Sequence, residues 1–285
     1  MKKTYFLSLV VAFGILSSCC QKAPAPSKSD EESLLAILYQ QKAGEYRALC
    51  FQAYRLAKMQ VDSALNKNPE NTNYAVITDL DETVLDNSAQ EGWIYEQDTT
   101  ASFQSLETWW LKGKAKAVPG SVEFFQYLKK RKVDVYYISN RSASPQYIKA
   151  TMVNMNTLKF PYSDFPADTT HFLFQQGSVA SKEPRRLKVI DTLKKNVIVY
   201  LGDNLIDLDK AFDKTVDGYQ NSEQRLHKVD SLKSTWGVKY IVFPNAIYGD
   251  WESAFYSKYL IDHKGANLTQ EQKNKIRKKL LNSSY

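Results

Sequence analysis

Cysteine and histidine are scarce in this chain, with three of each in 285 residues. So few cysteines exclude a disulfide framework, and none of them stands at metal-ligand spacing. Three scattered histidines are too few for a histidine-based metal centre. Internal repeats are absent. After the apolar run near the start, no stretch is long and apolar enough to span a bilayer. Acidic residues are outnumbered, 31 against 38 basic, which gives a formal charge of +7 and favours anionic substrates or surfaces. The basic residues are dispersed rather than gathered into a stripe, which argues against a nucleic-acid partner. The exception is the tail with "KNKIRKKLL", which reads as a solvated terminal helix, with a basic helix on anionic lipid as the alternative.

What is present begins at the first residues. Lys2 and Lys3 precede an apolar run from Tyr5 to Leu16, the pattern of a secretory signal. Leu16-Ser17-Ser18-Cys19 resembles a bacterial lipobox, which implies cleavage before Cys19 and acylation of that residue. The expected location is therefore the cell envelope, anchored through Cys19 to a membrane and, without an aspartate after Cys19, to the outer one. Residues 1–18 read as signal and 19–30 as a flexible tether. Residues 31–72 read as a helical segment, opened by a capping box at Ser29-Asp30-Glu31-Glu32. One helix is expected over 30–65, its core face carrying Tyr46, Leu49, Cys50, Ala53, Ala57, Val61 and Leu65.

Five apolar runs follow as strands: 74–78, 133–138, 196–201, 238–243 and a weaker one at 171–174. Helical patterns such as 121–131 and 184–195 lie between them. Alternation of this kind predicts an α/β fold: a Rossmann-like, mostly parallel sheet flanked by helices. The core is expected over 73–252, with a small helical cap inserted near 91–118, and 253–285 as a C-terminal helical segment. In such sheets ligands bind at the carboxyl ends of the strands.

Those ends are polar. "DLDET" follows the first strand, Ser139-Asn140-Arg141 the second, "GDNLID" the fourth and "PNAIYG" the fifth, while Lys182 stands at a helix start. Asp79, Asp81 and Asp203 can converge there. Their mutual repulsion would be offset by Mg²⁺, a hard cation that takes oxygen ligands. Ser139 and Lys182 could bind a phosphate, with Asn140 adding a contact. Asp207, one helical turn after Asp203, reads as a support that orients Lys182 or a metal-bound water. Glu82 reads equally as a loop support or a solvated acid, and Arg141 equally as a site residue or a surface ion pair.

Four motifs in order resemble the haloacid-dehalogenase superfamily, and "DLDETVLDNS", "AVPGSVEF", "YYISNR", "YLGDNLIDL" and "FPNAIYGDWE" resemble its bacterial class C acid phosphatases, the lipoprotein nucleotidases. The resemblance runs from about residue 40 to 252. It implies a Mg²⁺-dependent acid phosphatase or 5′-nucleotidase acting on small phosphomonoesters: nucleoside monophosphates, NMN and aryl phosphates. It implies Asp79 as nucleophile, forming an aspartyl-phosphate, and Asp81 as general acid and base, with its backbone carbonyl on the metal. It also implies Tyr248 as the residue that stacks on the substrate ring. The family often has a tryptophan where this chain has Leu106, so either Trp110 or Phe103 supplies the second ring or the clamp on the substrate ring is one-sided. A phosphotransferase of the same superfamily is the alternative enzyme, and a surface lipoprotein that captures haem or a nucleotide is the alternative binding protein. A homodimer is compatible with the sequence.

The lipobox reading has a direct check. Cys19→Ser should release the protein from the membrane fraction or leave the precursor uncut. Unchanged fractionation, together with a mature terminus that is not acylated Cys19, would refute it.

Overall fold

The computed structural model describes residues 28–97, 103–214 and 220–284, and the side chains from Ser33 onward, Phe103 excepted. The signal and lipobox readings, the tether as far as residue 27, the side chains of the capping box and that of Phe103 lie outside these; residues 28–30, read as tether, belong to the first helix instead. Among the described residues no helix is long and apolar enough to cross a membrane.

Five parallel strands form the sheet: β1 (Tyr74–Thr78), β4 (Asp134–Ser142), β5 (Phe172–Gln175), β6 (Asn196–Gly202) and β7 (Tyr240–Val242), in the order β5-β4-β1-β6-β7. The short strands β2 (Leu85–Asp86) and β3 (Lys116–Ala117) pair antiparallel beside it. Strand order runs outward from β1 in both directions, so the crossovers reverse there and leave a crevice at the carboxyl edge of β1. Val76, Tyr137, Val199 and Ile241 lie in the core on one side of the sheet. Ile77, Tyr136, Ile138 and Tyr200 pack with Val189 and Leu208 on the other. Burial on both faces explains why the strands read as continuous apolar runs rather than alternating ones.

The single helix expected over 30–65 is two, α1 (Lys28–Lys42) and α2 (Gly44–Lys67). Ala43 is extended, at φ −75° and ψ 132°, and separates them. Gly44, a poor helix former without a side chain to pack, allows the break at little cost. On α2 the buried residues are Tyr46, Cys50, Ala53, Tyr54, Ala57 and Val61. Leu65 packs at the margin of the core, but Leu49 is 42% exposed, because the buried stripe is narrower than its sequence pattern. Between β1 and α5 (Ser121–Lys130) lie α3 (Ser88–Glu96) and α4 (Phe103–Lys112), the latter against α6 (Pro145–Thr157).

Tyr54 joins α2 to the loop after β1. Its ring meets Phe243 at 4.6 Å and Phe124 at 5.2 Å, and its hydroxyl donates to the Thr83 carbonyl at 2.6 Å. Gly120 permits this approach: it is left-handed, at φ 85°, and a β-carbon there would stand 3.3 Å from the Tyr54 ring. Tyr54→Phe leaves a buried carbonyl without its donor, so unfolding stability should fall by about 1 kcal/mol. A shift of about 2–4 °C in Tm reads this out, and an unchanged Tm would contradict the role given to that hydroxyl.

Candidate active site

Thr78 ends β1, and the next residue, Asp79, still donates its backbone N–H to Leu201 of β6, at 2.9 Å. That bond fixes Asp79 at the crevice. Its carboxylate accepts from the Nζ of Lys182, which also pairs with Asp207 at 2.7 Å. All three are nearly buried: Asp79 at 6%, Asp207 at 5% and Lys182 at 3% exposure. Carboxylate oxygens of Asp79, Asp203 and Asp207 lie within 4.8 Å of one another.

Burial and the neighbouring acids Asp207, Asp203 and Asp81 push Asp79 well above the usual carboxylate range, against the pull of Lys182. Burial and Asp207 push Asp203 up to about 8, against the Asn245 amide that donates to it at 2.9 Å. Lys182 is the converse: burial disfavours its charge, but Asp207 and Asp79 raise it above its ordinary value, so it remains an ammonium. Ionising all three acids beside one ammonium leaves two negative charges, which a divalent cation would balance. The donor set is all oxygen, the set that suits a hard divalent ion, and the residues present fit one.

The carboxylate of Asp81 does not join this cluster, which leaves its backbone carbonyl, as the resemblance implies, as the atom it could offer a cation; Asp207 pairs with Lys182, the partner expected of it. What draws the Asp81 carboxylate away is Arg141, 1% exposed, which pairs with it at 2.7 Å and 3.1 Å. The Asn87 amide adds a bond at 2.8 Å. Burial opposes the charge on Asp81, yet Arg141 and Asn87 prevail and hold its carboxyl below the usual range. Arg141 is thus a buried partner of a site acid.

Ser139 and Asn140 lie within β4, which runs on to Ser142 rather than ending at 138. The pairing of β4 with β5 shifts between Ser139 and Ser142, an irregularity that re-aims this segment. The Ser139 hydroxyl accepts from the Arg141 N–H at 3.1 Å, and Arg185 donates to the Ser139 carbonyl and the Asn140 side chain, each at 2.6 Å. Sequence reasoning missed Arg185, although its place one turn after Lys182 was a readable sign. It also missed Asn87 and the Asn245 side chain, for which no pattern was visible.

Tyr248 lies partly buried over Glu82, to which its hydroxyl donates at 3.1 Å. Trp110 differs from expectation. It is 7% exposed, set edge-on against Tyr147, with the Arg141 guanidinium 5.6 Å from its ring centre. The ring backs Arg141 and packs in the insert, because a large apolar ring gains more from burial than from lining a wet cleft.

Gly202 packs against Asp207. A β-carbon on Gly202 would come within 2.5 Å of the Asp207 β-carbon, which a side-chain rotation cannot relieve. Gly202→Ala should displace Asp207 from Lys182 and lower kcat by about 10- to 100-fold. A variant with wild-type kcat would show that the close approach is not required.

The model of haloacid-dehalogenase subfamily IIIB, the acid phosphatases, matches residues 20–251. A class C acid phosphatase from Bacillus anthracis, solved with tungstate bound, superposes with a TM-score of 0.77 at 33% identity. The match covers 90% of this chain and 99% of that one. A second structure of that phosphatase gives the same TM-score, identity and coverage.

Proposed function

Because the chain belongs to subfamily IIIB of the haloacid-dehalogenase superfamily, the acid phosphatases, and is thus a phosphomonoesterase, we propose that it is a Mg²⁺-dependent nucleotidase working through an aspartyl-phosphate on Asp79. One observation carries this reading: Lys182 holds Asp79 and Asp207 together beside Asp203, while Asp81 stands apart on Arg141. The two acids of the "DLD" motif thus sit in opposite surroundings, which suits two different roles.

In this reading a carboxylate oxygen of Asp79 attacks phosphorus. The ester P–O bond breaks, and the leaving oxygen takes its proton from the Asp81 carboxyl. Asp81 then takes a proton from water, whose oxygen attacks phosphorus. The bond to Asp79 breaks, inorganic phosphate leaves, and both side chains are restored. Asp79, Asp203 and the backbone carbonyl of Asp81 would hold the cation, with Asp207 beside them orienting Lys182; when bound, the cation supplies positive charge toward phosphate oxygens. Lys182 and Ser139 would supply donors to the same phosphate. Arg141 keeps Asp81 ionised in the free enzyme; a phosphate dianion arriving nearby disfavours that charge and moves Asp81 toward the proton-bearing form that the first step needs. Acidic solution acts in the same direction.

Tyr248 is the residue proposed to face a nucleobase or nicotinamide ring. Anchorage through an acylated Cys19 at the outer membrane belongs to the same reading, and rests on Leu16-Ser17-Ser18-Cys19.

The test is release of inorganic phosphate from nucleoside monophosphates, NMN, aryl phosphates and sugar phosphates, with Mg²⁺ or with chelator. Asp79→Asn should lower turnover by about three orders of magnitude or more while the protein stays folded. Substantial turnover by that variant, free of deamidation, would remove the covalent route. Undiminished activity in chelator would remove the metal.

A further inference from the structure

Glu82 is fully buried, yet its backbone is left-handed, at φ 61°. Glycine would adopt that conformation without strain, and a residue with a β-carbon does not. What the side chain does there accounts for its presence. Its Oε1 accepts from the Asn87 backbone N–H at 3.0 Å and from the Tyr248 hydroxyl at 3.1 Å. Its Oε2 accepts from the side-chain amide of Gln40 on α1, which also donates to Asp86 at 3.0 Å. The Asn87 side chain donates in turn to Asp81 at 2.8 Å and accepts from the Trp109 indole at 2.8 Å. On its backbone side Tyr248 donates to the Asn245 side chain at 3.3 Å, and Asn245 holds Asp203. One carboxylate therefore links the tyrosine over the cleft, the acid Asp81 and the first helix of the chain.

We propose that Glu82 is a positioning residue for substrate selection: it fixes the Tyr248 ring through the phenolic hydroxyl and, through Asn87, keeps that ring in register with Asp81. This rests on the reading that Tyr248 faces the substrate's ring. A ring already held in place loses less freedom when a second ring stacks on it, so a preorganised tyrosine gains affinity without a new contact. Discrimination should thus depend on the hydroxyl as well as on the aromatic face.

The measurement is the ratio of kcat/KM for a nucleoside 5′-monophosphate over that for glycerol 2-phosphate. Tyr248→Phe keeps the ring and removes the anchor; it should lower the ratio by about 3- to 10-fold, the net worth of one hydrogen bond, mainly through KM of the nucleotide. Glu82→Gly removes the carboxylate and relieves the backbone, and should lower the ratio by a similar factor. The double variant should fall no further than either single one, since both remove one interaction. A merely structural Glu82 would lower Tm and leave the ratio alone. Tyr248→Ala separates the two readings. If it leaves the ratio unchanged, ring stacking fails and this inference with it. If it lowers the ratio while Tyr248→Phe retains the wild-type value, or while the double variant shows the product of the two single effects, stacking stands and the positioning role is overturned. Should Glu82→Gly not fold, Tyr248→Phe alone decides.

Discussion

Repulsion among buried carboxylates is the constraint around which this molecule is arranged. Carboxylate oxygens of Asp79, Asp203 and Asp207 stand within 4.8 Å of one another at the edge of a sheet that is covered on both faces. Asp79 and Asp207 are buried and Asp203 is half-buried, so water solvates them poorly and fixed partners must meet their charge. Lys182 meets one part of it, a divalent ion fits the rest, and the surrounding polar groups hold the acids at fixed angles. The Thr83 hydroxyl reaches one oxygen of Asp203 at 3.2 Å, and the Asn204 N–H reaches Asp207 at 3.0 Å. Glycine at 202 lets Asp207 approach the strand. The arrangement is expensive to bury and therefore sharply defined: each polar group has few alternatives that would satisfy it as well.

Separation of the two acids of the "DLD" motif is the second consequence. Two residues apart in sequence, Asp79 and Asp81 would otherwise share one environment. Arg141 prevents that by drawing the Asp81 carboxylate to a guanidinium that Trp110 backs and the Thr151 hydroxyl accepts from at 3.0 Å. The insert between β1 and α5 thus contributes a hydrophobic buttress behind a charged residue.

Much of this was legible in the sequence, for reasons that particular residues make plain. The strands could be read because burial on both faces leaves Tyr74–Thr78 and Asn196–Gly202 almost purely apolar, and the acids after them stand out against that background. Lys182 could be read because it precedes Pro184 at a helix start. The turn of the Asp81 carboxylate away from the other acids could not, since it depends on where Arg141 sits, 60 residues from its partner. Nor could the role of Trp110, because an aromatic residue in an insert has the same sequence signature whether it lines the cleft or backs a neighbour. The interruption at Ala43 was hidden as well: the apolar spacing continues through it, and only the backbone shows that α1 and α2 are separate bodies.

That separation gives α1 a standing of its own. A short helix ahead of an α/β core is usually regarded as dispensable packaging, a stretch to be trimmed when a simpler polypeptide is wanted. Here the same helix carries Gln40, whose amide lies between two acids of the loop that follows the central strand. Trimming back to Gly44 would remove the donor and leave Glu82 and Asp86 facing each other without it. The first helix is thus tied by a side-chain amide to the loop that carries both acids of the "DLD" motif, and its loss would be felt there before it was felt in the sheet.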